Sequence, residues 1–140
     1  MKRIIDVKTL LNDKFLLCYG DTLANIDLKL LSKFHFNHKG SATMSIYQLQ
    51  SQFGIVKTNH DDLAIEFQEK PKLDAWINIG YFILEKSLIN NENSFENFIT
   101  KLSVNKYLYC YKHNDLHITV NTIKELEDAK QDIKNFNLDL

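Results

Sequence analysis

Proline is nearly missing from these 140 residues, which hold only one, and glycine is scarce at four. With so few chain-bending residues there is no Pro- or Gly-rich linker, no low-complexity tract and no repeat period to mark a second unit. Residues 1–140 therefore read as one domain, whose size and 44% hydrophobic content suit a packed core. Neither charge sign is in excess: seventeen basic residues stand against eighteen acidic ones, a formal net charge of -1. That balance argues against a nucleic-acid-binding surface and leaves small molecules or protein surfaces as partners. No apolar run is long enough to span a bilayer, and Asp6 closes the first apolar pair Ile4-Ile5, so no membrane span or secretory leader is expected. The expected location is cytoplasmic. Cysteine is limited to Cys18 and Cys110, far apart and without a Cys-x-x-Cys spacing; both are expected as buried, reduced thiols.

What is present is an alternation of strand and helix signals. Phe15-Leu16-Leu17-Cys18-Tyr19 is a continuous apolar run, expected as a central strand of a parallel sheet buried on both faces, and it stops at Gly20-Asp21. Leu28, Leu31 and Phe34 recur at helical spacing behind the cap residue Asp27, with Gly40 placed to end the helix. Ala42 to Tyr47 reads as extended, and Gly54 to Lys57 and Leu63 to Phe67 flank the polar turn Asn59-His60-Asp61-Asp62 as a hairpin. Ile77 to Leu84 is a further strand. Ser94 caps a helix with Phe95, Phe98, Ile99 and Leu102 on one face, and Tyr107, Tyr109 and Tyr111 alternate with Leu108 and Cys110 as a strand whose tyrosines are expected to be covered. Thr122 and Glu125 fit a capping box ahead of a last helix carrying Ile123, Leu126, Ala129, Ile133 and Phe136. The order gives an α/β layer fold with a mixed sheet.

In open α/β sheets ligands gather beyond the carboxyl ends of strands, so Asp21 is a candidate metal ligand, with a self-bonded turn aspartate as the competing reading. Glu69-Lys70-Pro71 follows a strand: an ammonium held by the rigid proline suits a phosphate, and the carboxylate suits hydroxyls, although an exposed charged turn has the same sequence. Asn78 and Gly80 offer an amide and a close-approach backbone to a sugar, or else form a strand bulge around a satisfied asparagine. Asn121 precedes the capping box and can bind a cation or cap. His35 and His38 are spaced i, i+3 with no evident third metal ligand, which leaves them a solvated or structural role.

Taken in order, Tyr19-Gly20-Asp21, Ala24-Asn25-Ile26-Asp27-Leu28, Phe34-His35 with His38, Ala42-Thr43, Phe53-Gly54, Phe67-Gln68-Glu69-Lys70-Pro71, Trp76-Ile77-Asn78-Ile79-Gly80 and Asn121-Thr122 resemble the sugar-1-phosphate nucleotidyltransferases. Within that family the look is nearest to the glucose-1-phosphate cytidylyltransferases, and it extends over nearly the whole chain. The resemblance implies a three-layer, Rossmann-like αβα fold. It implies Mg2+ at Asp21 and Asn121, a sugar-phosphate contact at Lys70, and sugar contacts at Glu69, Asn78 and the backbone of Gly54 and Gly80. The implied reaction joins a nucleoside triphosphate and a sugar 1-phosphate into a nucleotide sugar and pyrophosphate.

Two departures from the family pattern shape the expectation. Nothing before Tyr19 matches the family's glycine-rich, arginine-containing loop that holds the triphosphate, and Asn121 stands where the cytidylyltransferases carry an aspartate and the similar N-acetylglucosamine-1-phosphate uridylyltransferases an asparagine. The chain is therefore expected to be the sugar- and metal-binding part of such an enzyme, amino-terminally truncated and not active alone. The alternative is a non-catalytic module that keeps a sugar-phosphate pocket or works by interaction. A truncated sheet would also leave Phe15 to Tyr19 as an apolar edge, and a homodimer or partner chain is expected there.

Overall fold

The computed structural model describes residues 1–135, and the Phe136 assigned above to the last helix lies outside them. The chain runs α1 (Lys2–Asp6), β1 (Lys14–Cys18), β2 (Thr22–Ala24), α2 (Leu28–Asn37), β3 (Ala42–Gln50), β4 (Ile55–Thr58), β5 (Ala64–Gln68) and β6 (Lys72–Glu85). It continues through α3 (Phe95–Val104), β7 (Leu108–His113), β8 (His117–Thr119) and α4 (Ile123–Asp132), with short 3-10 turns at Lys8–Leu10, Lys86–Leu88 and Ile133–Asn135. The helix caps are those the sequence announces. Asp27 accepts the backbone N–H groups of Lys29 and Leu30, Ser94 accepts that of Asn97, and Thr122 and Glu125 close a reciprocal capping box.

The main sheet has four strands in the order β1-β6-β3-β7 and is mixed: β6 runs antiparallel to both β1 and β3, whereas β7 lies parallel to β3. Alternation along the strands separates two faces. On one, Ala42, Phe82 and Leu84 pack with Phe98 and Leu102 of α3, joined by Phe15, Leu17 and Met44. On the other, Thr43 and Ser45 are buried on the side of α2, whose Leu31 and His35 are themselves buried. Helix, sheet and helix form the three expected layers. Burying Phe82, Leu84, Phe98 and Leu31, all at 2% exposure or less, contributes about 1.5–3 kcal/mol each before the entropy of ordering them is counted.

Three expectations are corrected by this topology. The Phe15 to Tyr19 run is not a central parallel strand: β1 is outermost, antiparallel, and alternates, with Leu16 43% exposed and Cys18 exposed. An edge strand has a neighbour along one side only, so its apolar run is not covered all round. Cys110, on the opposite edge strand β7, is likewise exposed, so both thiols are free but neither is buried. The tyrosines of β7 are not a covered face either, since Tyr107 and Tyr109 are exposed and Tyr109 instead stacks on His38 with ring centroids 4.2 Å apart. Among the described residues no helix is long and apolar enough to cross a membrane.

Two small ribbons complete the fold. The expected hairpin is β4–β5, in which Val56 opposes Phe67 and Lys57 opposes Glu66. The other, β2–β8, was not foreseen: Thr22, Leu23 and Ala24 pair with Thr119, Ile118 and His117.

Candidate functional site

Strands β1, β3 and β7 share one direction, so their carboxyl ends lie along one margin of the sheet, where α/β folds gather ligands. Asp21 leaves β1 at that margin, although from an edge strand. The β2–β8 ladder then continues one step past Thr22–Thr119, where the Val120 N–H donates to the Asp21 carbonyl at 2.8 Å. Asp21 thus stands opposite Val120, and Asn121 follows one step farther along the ladder, although the two segments are a hundred residues apart in the chain. The ribbon is fastened to the sheet by Tyr81, whose hydroxyl accepts the Ala24 N–H at 3.3 Å and donates to the Thr22 carbonyl at 3.4 Å. Burial pushes the Tyr81 phenol above its usual range, so it stays protonated and keeps that donor.

The Asp21 carboxylate accepts a 3.3 Å bond from the Thr22 hydroxyl. The backbone of Asn121 is engaged by the cap, its N–H donating to Glu125 Oε2 at 2.7 Å, which leaves the side-chain amide of Asn121 outside the capping box. Both side chains are exposed at the margin. A carboxylate and an amide oxygen are hard donors, and Mg2+ takes one or two protein oxygens while water and substrate phosphates complete its shell. The pair fits that pattern. No three His, Cys, Asp or Glu residues gather as metal ligands among the described residues.

Asn78 and Gly80 sit in β6 where its register with β3 shifts: Met44 pairs with Phe82 but Ile46 with Asn78, leaving residues 79–81 bulged. Gly80 adopts φ +78°, and a Cβ there would lie 2.6 Å from the Tyr19 ring, so glycine is required on both counts. Asn78 Oδ1 accepts the Gly80 N–H at 2.8 Å, its Nδ2 donates to the Tyr19 hydroxyl at 3.1 Å, and the Tyr19 N–H donates to the Gly80 carbonyl at 2.8 Å. Of the two readings of Asn78 left open by the sequence, the structure bears on the bulge: Asn78 sits at one with its amide satisfied, yet it is exposed rather than in the core.

Gly54, Glu69 and Lys70 form a second group at the base of the β4–β5 hairpin. A Cβ on Gly54 would fall 2.6 Å from the Phe67 ring and 3.1 Å from Glu69 Oε2, so ring and carboxylate close on the bare backbone there. Lys70 has φ +44°, a left-handed conformation uncommon for a non-glycine residue, and Gln50 Nε2 donates to its carbonyl at 3.1 Å. The group precedes β6, and roughly 20 Å of strand lies between Lys72 and Asn78 at about 3.3 Å per residue. Asp21, Asn121, Asn78 and Gly80 are joined through Tyr19 and the β2–β8 ribbon, while the hairpin residues are joined to them through β6.

Tyr19 and Tyr81 are the parts of the site the sequence reading missed. Tyr19 carried a signal, standing directly before Gly20-Asp21, but its bond to Asn78 spans fifty-nine positions. His35 and His38, set aside as metal ligands, are structural: His35 Nδ1 and His38 Nε2 share the Thr43 hydroxyl at 2.9 and 2.7 Å, and His35 is buried.

Comparison with known proteins agrees with this architecture. A Bacillus subtilis (strain 168) protein described as "Probable glucose-1-phosphate cytidylyltransferase" is 34% identical over 136 residues, covering 92% of this chain and 53% of that protein. A Salmonella typhimurium glucose-1-phosphate cytidylyltransferase is 38% identical over 80 residues, covering 56% of this chain and 31% of its own. The chain thus spans about half or less of the length of these relatives. A solved Bacillus anthracis structure, described as a "Putative Glucose-1-Phosphate Thymidylyltransferase", superposes with a TM-score of 0.71 at 14% identity, covering 99% of this chain and 62% of that one, which shows a shared fold. The family profile described as nucleotidyl transferase matches residues 3–139, and on that match the chain belongs to the nucleotidyl transferase family.

Proposed function

We propose that this chain supplies the sugar 1-phosphate and metal half of a sugar-1-phosphate nucleotidyltransferase site. The observation that supports the reading is the continued β2–β8 ladder, which sets Asp21 opposite Val120, the residue before Asn121, while the Tyr19 N–H bonds the Gly80 carbonyl beside it. In the reaction an oxygen of the sugar phosphate attacks the α-phosphorus of a nucleoside triphosphate, the bond from that phosphorus to the bridging oxygen breaks, and pyrophosphate leaves. Such transfers depend on alignment and charge stabilisation rather than on a protein nucleophile. Lys70 acts as a point charge on the sugar phosphate and Glu69 and the Gly54 backbone hold its hydroxyls, while Asn78 and the Gly80 backbone, roughly 20 Å of strand away, line the metal end of the site. Mg2+ at Asp21 and Asn121 would offset the phosphate charge.

The isolated glycines Gly20, Gly40, Gly54 and Gly80 build no glycine-rich strand-to-helix turn, so the triphosphate is gripped by another segment or chain. The free edge of β1 is the place for such a partner or for a second copy, since its outer backbone groups have no strand beside them among the described residues. The working location is the cytoplasm, where nucleoside triphosphates are found.

Titration calorimetry with glucose 1-phosphate and Mg2+ tests the reading. Lys70→Ala weakens binding at least tenfold, about 1.4 kcal/mol, while Lys57→Ala leaves it unchanged because that ammonium is spent on Glu66 at 2.7 Å. Equal effects of the two substitutions favour the alternative, a relative that keeps the fold and works by interaction alone.

A further inference from the structure

Phe67 is a large apolar side chain left 65% exposed on the β4–β5 hairpin. A lone surface phenylalanine needs no explanation, but this one is placed. Its ring lies across Gly54, where a Cβ would meet it at 2.6 and 2.7 Å, and Glu69 Oε2 approaches the same point at 3.1 Å. Phe67 lies in β5 and Glu69 in the bend just past its end, both side chains reach the same point at Gly54, and Lys70 follows at once. An aromatic face, a carboxylate and an ammonium therefore succeed one another within four residues, beside a stretch of backbone with no side chain.

Those three groups match the three chemical faces of a phosphorylated pyranose. The sugar ring has an apolar side of C–H bonds, a polar rim of hydroxyls and, at one carbon, a dianionic phosphate. An aromatic ring, negative on its face, attracts C–H hydrogens, and small-molecule sites combine such apolar walls with a few placed polar groups. Val56 and Ile65, exposed at 53% and 63%, flank Phe67 but lie farther from Glu69 along the ribbon.

We propose that Phe67 is the stacking surface for the sugar ring, and so a residue that selects a pyranose phosphate over a bare phosphate. The proposal rests on the sugar-phosphate reading above and deepens it. Phe67→Ala lowers affinity for glucose 1-phosphate about tenfold but leaves affinity for inorganic phosphate unchanged, whereas Lys70→Ala weakens both. Phe67→Tyr retains the affinity, and Ile65→Ala does not alter it.

The experiment is saturation-transfer NMR on the 140-residue chain with glucose 1-phosphate, irradiating aromatic protons, alongside calorimetry on the same variants. Strong transfer to the sugar ring protons in the wild type, lost in Phe67→Ala, is the expected result. Circular dichroism checks that Phe67→Ala is folded, and Phe67→Leu, which keeps the bulk but not the aromatic face, shows the same loss. If Phe67→Ala binds glucose 1-phosphate as well as the wild type while Lys70→Ala does not, the stacking role is wrong and the sugar-phosphate site stands. If the wild type does not bind glucose 1-phosphate at all, both fall together.

Discussion

The side-chain amide of Asn78 donates to the hydroxyl of Tyr19 at 3.1 Å, and this bond ties the bulge of β6 to the segment that presents Asp21. The Tyr19 N–H returns a bond to the Gly80 carbonyl, so the two stretches are locked at both side chain and backbone. Gly80→Ala attacks the lock twice, by forcing a side chain into φ +78° and by placing a Cβ 2.6 Å from the Tyr19 ring. It destabilises the fold by about 1–3 kcal/mol, read from urea denaturation. An unchanged midpoint would mean the bulge relaxes freely.

Stability falls as the pH drops below neutrality. Burial, then the neighbouring His38, holds the His35 imidazole below its usual range, and burial does the same to His38 and His117. Their folded-state pKa values are depressed, so the unfolded chain binds more protons between the folded and unfolded values. Stability is thus fully present above the unfolded value near 6.5 and is lost as the pH falls through the folded one. Denaturant midpoints at pH 7.5 and 5.5 should differ in that sense. Thr43→Val, which strips both rings of their shared hydroxyl, lowers stability by about 1–3 kcal/mol at pH 7.5.

The α4 cap separates structure from function at adjacent positions. Thr122→Ala removes the acceptor for the Glu125 N–H and costs about 1 kcal/mol. Asn121→Ala keeps the backbone bond to Glu125 and stays within about 0.5 kcal/mol of the wild type. Only Asn121→Ala and Asp21→Ala abolish the Mg2+ dependence of sugar-phosphate binding in calorimetry.

The open outer edge of β1 predicts that the chain self-associates in sizing with light scattering. Leu16→Lys, a charge on the 43%-exposed position of that strand, shifts it toward monomer. A monodisperse wild-type monomer contradicts this.

The layered fold was legible in the sequence because its signals are local: Asp27, Ser94 and Thr122 cap the helices they precede, and the hairpin turn lies between its own strands. Strand order is not local. The run from Phe15 to Tyr19 looks the same whether it lies at the centre or the edge, and only pairing with β6, more than sixty residues on, makes it an edge that exposes Leu16 and Cys18. The β2–β8 ribbon escaped notice because three-residue strands such as Thr22–Ala24 carry too few positions to show a period. Tyr81 was hidden for the same reason, since its value lies in reaching the ribbon from β6.

The central claim is that one cleft is served by two groups of residues set apart along β6, and backbone amide NMR during titration with glucose 1-phosphate and Mg2+ tests it most directly. The account predicts shifts at Gly54, Glu69 and Lys70 together with Asp21, Asn78, Gly80 and Asn121, saturating at one ligand concentration. Shifts confined to the hairpin, or two groups that saturate independently, would contradict it.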